Sequence, residues 1–420
     1  MINKKLIKRW MYKPLLAHLN NLEISMIVGP RQAGKTTLMK MIQDHLVATG
    51  KKCLFLNLDF ETDNQYFISQ NALIKKIKLE FGESQGYVFI DEIQRKENAG
   101  LFLKGIYDQG LPCKFIISGS GSVELKEKIH ESLAGRKRMF ELYPVSFTEF
   151  IDFKTGYLYA DTLEDFFSSD KTKTNDLLEE YLGYGGYPKV ILAATKQEKL
   201  NEINEIYNSY IEKDITSLMK IRRPDAFSEL IKVLGGQIGQ LVNYSELSNT
   251  LNVSLLTIKN YLWYAEKTFV VERITPYARN IRKEITKSPM YYFYDLGLRN
   301  FSTGQLGDSS AEKNGFIFQN LILHILKERL HGQNGSVHYW RTKDKAEVDF
   351  VIARGKEILP VEVKYRDYDF PQIARSLRSF ISRYSPKYAY VVNKNYRQEI
   401  EVDKTKVIFL PYSDLLFKEI

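Results

Sequence analysis

Near the N-terminus, Gly29-Pro30-Arg31-Gln32-Ala33-Gly34-Lys35-Thr36 has the spacing G-x4-G-K-[ST]. Its glycines let the backbone turn tightly, so successive N–H groups converge on one point at a helix start, where anions are held. In such a loop Lys35 reaches the β and γ phosphates of ATP, and the Thr36 hydroxyl ligates Mg²⁺. Thr37 closes the set of loop contacts. A second stretch, Tyr87-Val88-Phe89-Ile90-Asp91-Glu92, ends an apolar run on an acidic pair. Asp91 is placed to hold the Mg²⁺ shell, and Glu92 to polarise the attacking water. Further on, Leu133-Ala134-Gly135-Arg136-Lys137-Arg138 offers a cation to the γ-phosphate, from the same chain or from a neighbouring copy in a homo-oligomer.

These groups work only if the backbone brings them together. Apolar runs at Ile24–Val28, Cys53–Leu58, Tyr87–Ile90 and Lys114–Ser118 read as strands, with helical segments between them. Strands alternating with helices predict a parallel sheet covered on both faces. The strand signal fades from about residue 160 to 225, where helical patterns are interrupted by the turn Gly183-Tyr184-Gly185-Gly186-Tyr187-Pro188. Residues 226–300 read as three helices and a two-stranded ribbon. The last stretch reads as helix, three strands (Val337–Arg341, Glu347–Ala353, Ile358–Lys364), helix and strand (Tyr388–Val392). The expected units are 1–155, 156–225 (a helical lid), 226–304 and 305–420.

In the third unit, residues 247–262 read as helix–turn–helix. Leu247, Leu251, Val253, Ile258 and Leu262 face inward, Asn252 sits in the turn, and the ribbon forms a wing. Basic residues cluster around that ribbon: Lys267, Arg273, Arg279, Arg282, Lys283 and Lys287. With 60 Lys and Arg against 51 Asp and Glu, a net +9, this favours a polyanion such as DNA as partner. Leu255 and Leu256, where DNA readers often expose polar groups, count against base reading. The two cysteines, Cys53 and Cys113, adjoin apolar runs and read as core residues. No apolar stretch is long enough for a membrane span, so a cytoplasmic protein is expected.

A further strand between the two nucleotide motifs, Cys53–Leu58, makes the first unit resemble the additional-strand P-loop class, which includes the AAA-type ATPases. That resemblance implies a sensor at the end of the next strand, where Ser118 stands. Taken with VFIDEIQ, ISGSGS, ESLAGR, ELYPVSFTEF, YGGYPKV, YYFYDLGL, YWRTKDKAEVDFV and LPVEVK, the loop GPRQAGKTT makes nearly the whole chain resemble a bacterial and archaeal family of predicted AAA-type ATPases. The resemblance implies an α/β fold: an ATPase domain with helical lid, a winged helix, and a C-terminal PD-(D/E)xK domain like restriction endonucleases. In the last, Asp349 and Glu362 would bind a metal, with Lys364 on the face of Glu362. Relatives commonly carry a glutamate on the preceding helix, where this chain has Gln319. Metal affinity, and with it cleavage, should therefore be low.

Overall fold

The structure, a computed structural model, describes residues 6–120, 132–209, 221, 223–278, 288–308 and 311–418. Its first sheet holds β1 (Ile24–Gly29), β2 (Lys52–Asn57), β3 (Gly86–Asp91), β4 (Cys113–Ser120) and β5 (Lys137–Glu141). Their order is β2-β3-β4-β1-β5, with every pair parallel. β1 and β3 are buried at every position, the pattern of strands covered on both faces. Helix α1 (Lys35–Ala48) covers one face with Leu38, Met39, Ile42 and Leu46, spaced three and four apart. Because all five strands run the same way, the ends of β1 and β3 and Ser118 of β4 share one edge.

Cys53–Leu58 forms the edge strand β2. The strand between the loop strand and the acidic strand is instead β4, from the Lys114–Ser118 run. β5 has little apolar signal: of Lys137-Arg138-Met139-Phe140-Glu141 only Phe140 is buried, as an edge position permits.

The helices expected as a lid divide between two cores. α3 (Lys171–Tyr184) packs against the C-terminal unit, as does α2 (Phe147–Lys154) from the end of the expected first unit, with Tyr181 and Phe150 in the core that holds Phe318 and Tyr412. Tyr187, Val190 and the helix Lys196–Tyr207 join the core of the middle unit. There, helices Pro224–Gly236, Tyr244–Thr250 and α4 (Leu255–Lys267) lead into the antiparallel ribbon β6 (Val271–Ile274) and β7 (Met290–Phe293). Asn252 takes the left-handed turn at φ +48. Leu247, Leu251, Ile258 and Leu262 are buried and Val253 half-buried. Helix α5 (Leu296–Ser302) follows.

Helix α6 (Ala311–Leu330) opens the last unit. Its sheet holds β8 (Ser336–Arg341), β9 (Glu347–Arg354), β10 (Glu357–Val363), β11 (Tyr388–Asn393), β12 (Gln398–Val402) and β13 (Thr405–Pro411). The order is β12-β13-β11-β10-β9-β8; β8, β9 and β10 are antiparallel neighbours, and β10, β11 and β13 run parallel. β12 and β13 exceed the four expected strands. Of the basic cluster at the wing, Arg279, Arg282, Lys283 and Lys287 lie outside the described residues.

Candidate functional site

The loop between β1 and α1 closes because its residues meet specific backbone demands. Gln32 and Gly34 take positive φ, +59 and +99. A Cβ on Gly29 would stand 2.0 Å from the Leu142 carbonyl oxygen, so only glycine fits there. Lys35 is buried and turned into the loop, donating to the carbonyls of Gly29 (3.1 Å) and Pro30 (2.8 Å). Burial pushes its ammonium down to about 8, opposed by the charges of Glu92 and Asp91.

The parallel register sets the acidic pair opposite. Thr36 Oγ1 donates to Asp91 Oδ2 at 2.6 Å, and Ser118 Oγ donates to Asp91 Oδ1. One carboxylate and one hydroxyl form a hard oxygen donor pair of the kind that fits Mg²⁺. Glu92 leaves the strand in the left-handed conformation, φ +58. Its N–H donates to Asp91 Oδ1 (3.2 Å) and Ser118 Oγ (3.4 Å), and its carboxylate accepts from Gln94. Lys35, Thr36, Asp91, Glu92 and Ser118 thus converge on one edge. Arg31 and Ala33 belong to the loop wall, and Thr37 is exposed on the first turn of α1.

Arg136 lies elsewhere. Its carbonyl accepts from the Ile24 N–H and its guanidinium pairs with Asp108 at 2.8 Å, at the start of β1. At a rise of roughly 3.3 Å per residue, β1 separates it from the loop by about 17 Å. Arg136 therefore does not serve its own chain's loop, and Arg138, exposed on β5, stands opposite Ser25 near the start of β1.

Three residues that motif reading passes over support the site. Arg9 is buried and donates to the loop carbonyl of Ala33 (2.7 Å), to Tyr143 O (2.6 Å) and Pro144 O (3.3 Å), and to Glu149 Oε2 (3.0 Å). Nothing marks it out among the basic residues around it. Glu149 was legible as the fourth residue of a capping box begun by Ser146. Asp295 caps α5 and accepts from the Gly186 N–H at 2.7 Å, and burial pushes its carboxyl up to about 6. It joins the YGGYP turn to the DLG turn, and Pro188 of the first leans on the loop, 3.9 Å from where a Gly34 Cβ would stand.

The C-terminal residues also meet. Gln319 Nε2 donates to Asp349 Oδ1 (3.1 Å) and to Tyr292 OH (3.0 Å), and the Val363 N–H donates to Asp349 Oδ2 (2.7 Å). Lys364, the residue after β10, pairs with Glu362 Oε1 at 2.6 Å, as period-two spacing allows, while Glu362 Oε2 is buried without a partner. Burial and the Glu362 charge both push the Asp349 carboxyl up. Two carboxylates with one orphan oxygen fit a divalent cation, but the Gln319 amide, the Val363 N–H and the Lys364 ammonium already hold the other three. Among the described residues no cluster of three His, Cys, Asp or Glu side chains forms a metal site.

Residues 21–151 match the family model of the AAA domain. The N-terminal third thus matches an AAA domain, built on a parallel sheet that carries the phosphate loop. Residues 175–309 and 314–414 match two domains of unknown function (DUF8612 and DUF4143). An uncharacterized protein of Haemophilus influenzae is 25% identical over 424 residues, 97% of this chain and 98% of its own length. Another, of Methanocaldococcus jannaschii, is 26% identical over 347 residues, 81% of this chain and 74% of its own. Among solved structures, AMPPCP-bound DnaA from Aquifex aeolicus is 14% identical with a TM-score of 0.26, covering 61% of this chain and 86% of that one. That likeness is too distant to carry function. No helix among the described residues is long and apolar enough to cross a membrane.

Proposed function

We propose that the chain is a Mg²⁺-dependent ATPase whose nucleotide state repositions the helix–turn–helix unit and the C-terminal unit, with DNA as its partner. One observation carries the ATPase reading: Thr36 and Asp91 stand 2.6 Å apart, with Lys35 inside the loop and Glu92 next in chain. Lys35 would leave the loop carbonyls for the β and γ phosphates, where its charge offsets theirs. Thr36 and Asp91 would hold Mg²⁺, which neutralises charge on the phosphate oxygens when bound. Ser118 fixes the Asp91 carboxylate in place. Glu92 orients a water toward the γ-phosphate and accepts its proton. Arg136 would act in trans, on the loop of a neighbouring copy in a homo-oligomer.

DNA is supported by the net +9 charge and by the helix–turn–helix with its ribbon, which we read as a winged helix. The C-terminal unit we read as a nuclease-like fold, since three antiparallel strands, a helix and a parallel strand carry Asp349 and Glu362 as that fold does. A second reading is a switch that binds a protein and cuts nothing. It is favoured by Gln319 and Lys364 occupying the carboxylate oxygens, and by Leu255 and Leu256 exposed on α4. ATP turnover measured with and without duplex DNA tests the first reading. Stimulation by DNA is expected; turnover indifferent to DNA, with no binding at low salt, supports the switch.

A further inference from the structure

Loop N–H groups that converge on phosphate turn their carbonyls outward, and a buried carbonyl needs a donor. Ala33 is fully buried, and its carbonyl takes that donor from Arg9, which lies 24 residues earlier on a different element. Arg9 is 7% exposed and fills its fork from three directions: the loop, the Tyr143–Pro144 segment after β5, and Glu149. The planar, multiply donating guanidinium suits that task; a lysine ammonium could not span it.

Glu149 passes the connection on. Its Oε1 accepts from the Trp10 N–H (2.7 Å) and its Oε2 from the Ser146 N–H (2.9 Å). Ser146 Oγ then donates to Glu328 Oε1 on α6 at 3.1 Å. Trp10 makes a second tie to the same end of α6, its ring edge-on to His331 with centroids 4.7 Å apart. Nearer the middle of α6, nine residues before Glu328, stands Gln319, which holds Asp349. A continuous set of hydrogen bonds therefore runs from the phosphate loop to the helix that bounds the C-terminal carboxylate cluster.

We infer that Arg9 is a positioning residue of the phosphate loop, and that the chain Ala33–Arg9–Glu149–Ser146–Glu328 transmits the state of that loop to α6. This rests on nucleotide binding at the loop, proposed above. Phosphate drawing on the loop N–H groups shifts the Ala33–Gly34 peptide, and Arg9, bonded to its carbonyl, moves with it. Glu149 is held by Arg9 and caps α2, so the displacement reaches Ser146 and then α6.

The test uses the full chain, a fluorescent ADP analogue with Mg²⁺, and hydrogen exchange of residues 315–330 with and without ADP. Arg9→Gln frees the loop to leave its binding shape, and an occupancy of that shape of about one tenth weakens binding about tenfold. Arg9→Lys recovers part of the loss. Ser146→Ala should bind the analogue within about twofold of the parent yet lose most of the exchange response in α6, since it cuts the link beyond the loop. Thermal melting shows whether each variant folds; if Arg9→Gln does not, Arg9→Lys decides, with weakened binding expected. Parental affinity in a folded Arg9 variant overturns the positioning role. A parent chain that binds ADP without any exchange change in α6, or a Ser146→Ala chain that keeps it, overturns the transmission. A parent chain that binds no nucleotide refutes the ATPase reading instead.

Discussion

Lys35 concentrates the chemistry of the loop in one titrating group. Burial lowers its ammonium to about 8, whereas bound phosphates favour the charged form. Nucleotide binding should therefore take up a proton near pH 8. Above that pH affinity should fall, by up to about tenfold per pH unit, as the free chain loses the proton it needs. Calorimetric titration in buffers of different ionisation heat checks both points. Lys35→Ala should bind weakly and lose that proton uptake. At the C-terminal cluster, Gln319 gives Asp349 an amide where a third carboxylate would add charge for a cation. Gln319→Glu should raise Mg²⁺ affinity, measured by isothermal titration, and Asp349→Ala in that background should remove the gain. Unchanged affinity in Gln319→Glu would show that the amide does not limit the site. Residues whose chemistry depends on local spacing, such as Lys35, Thr36, Asp91 and Glu92, were legible in the sequence. Arg9 was not, because its partners Ala33, Tyr143 and Glu149 are distant in sequence and only the fold assembles them.

At the scale of elements, the helix–turn–helix and its ribbon carry the proposed DNA contact. Binding through phosphates releases counterions, so affinity should fall with salt along a log–log slope set by the phosphates neutralised. Replacing Arg279, Arg282 and Lys283 together by glutamine should flatten that slope in fluorescence anisotropy titrations. An unchanged slope would move the contact elsewhere. Elements with strong apolar runs were readable from sequence: β1, β3 and β4 differ from expectation only at their ends. β5 and β12 were not, since edge strands are polar at alternate positions and carry little signal. The helices of the expected lid were readable as helices but not as partners. Tyr181 gives α3 an apolar face that any sheet could bury, and the fold assigns it to the C-terminal core. The turn Gly185-Gly186-Tyr187-Pro188 looked like an interruption in a helical stretch. In three dimensions it ties Val145 after β5 to Asp295 before α5, beside the loop.

Across the whole molecule, the nucleotide loop is braced by Arg9 and by Pro188, the latter in the turn that Asp295 holds through the Gly186 N–H. The proposed function turns on Glu92. Glu92 stands beyond Asp91 in a left-handed conformation, with Gln94 and Ser118 holding its two ends. The decisive measurement is ATP retention and single-turnover hydrolysis with Mg²⁺, side by side in the parent and in Glu92→Gln. The parent should hydrolyse bound ATP. The variant should retain ATP with near-parental affinity and hydrolyse it about a hundredfold or more slowly, because an amide cannot accept the water's proton. Hydrolysis by Glu92→Gln at the parental rate would contradict the assignment of Glu92 as the base.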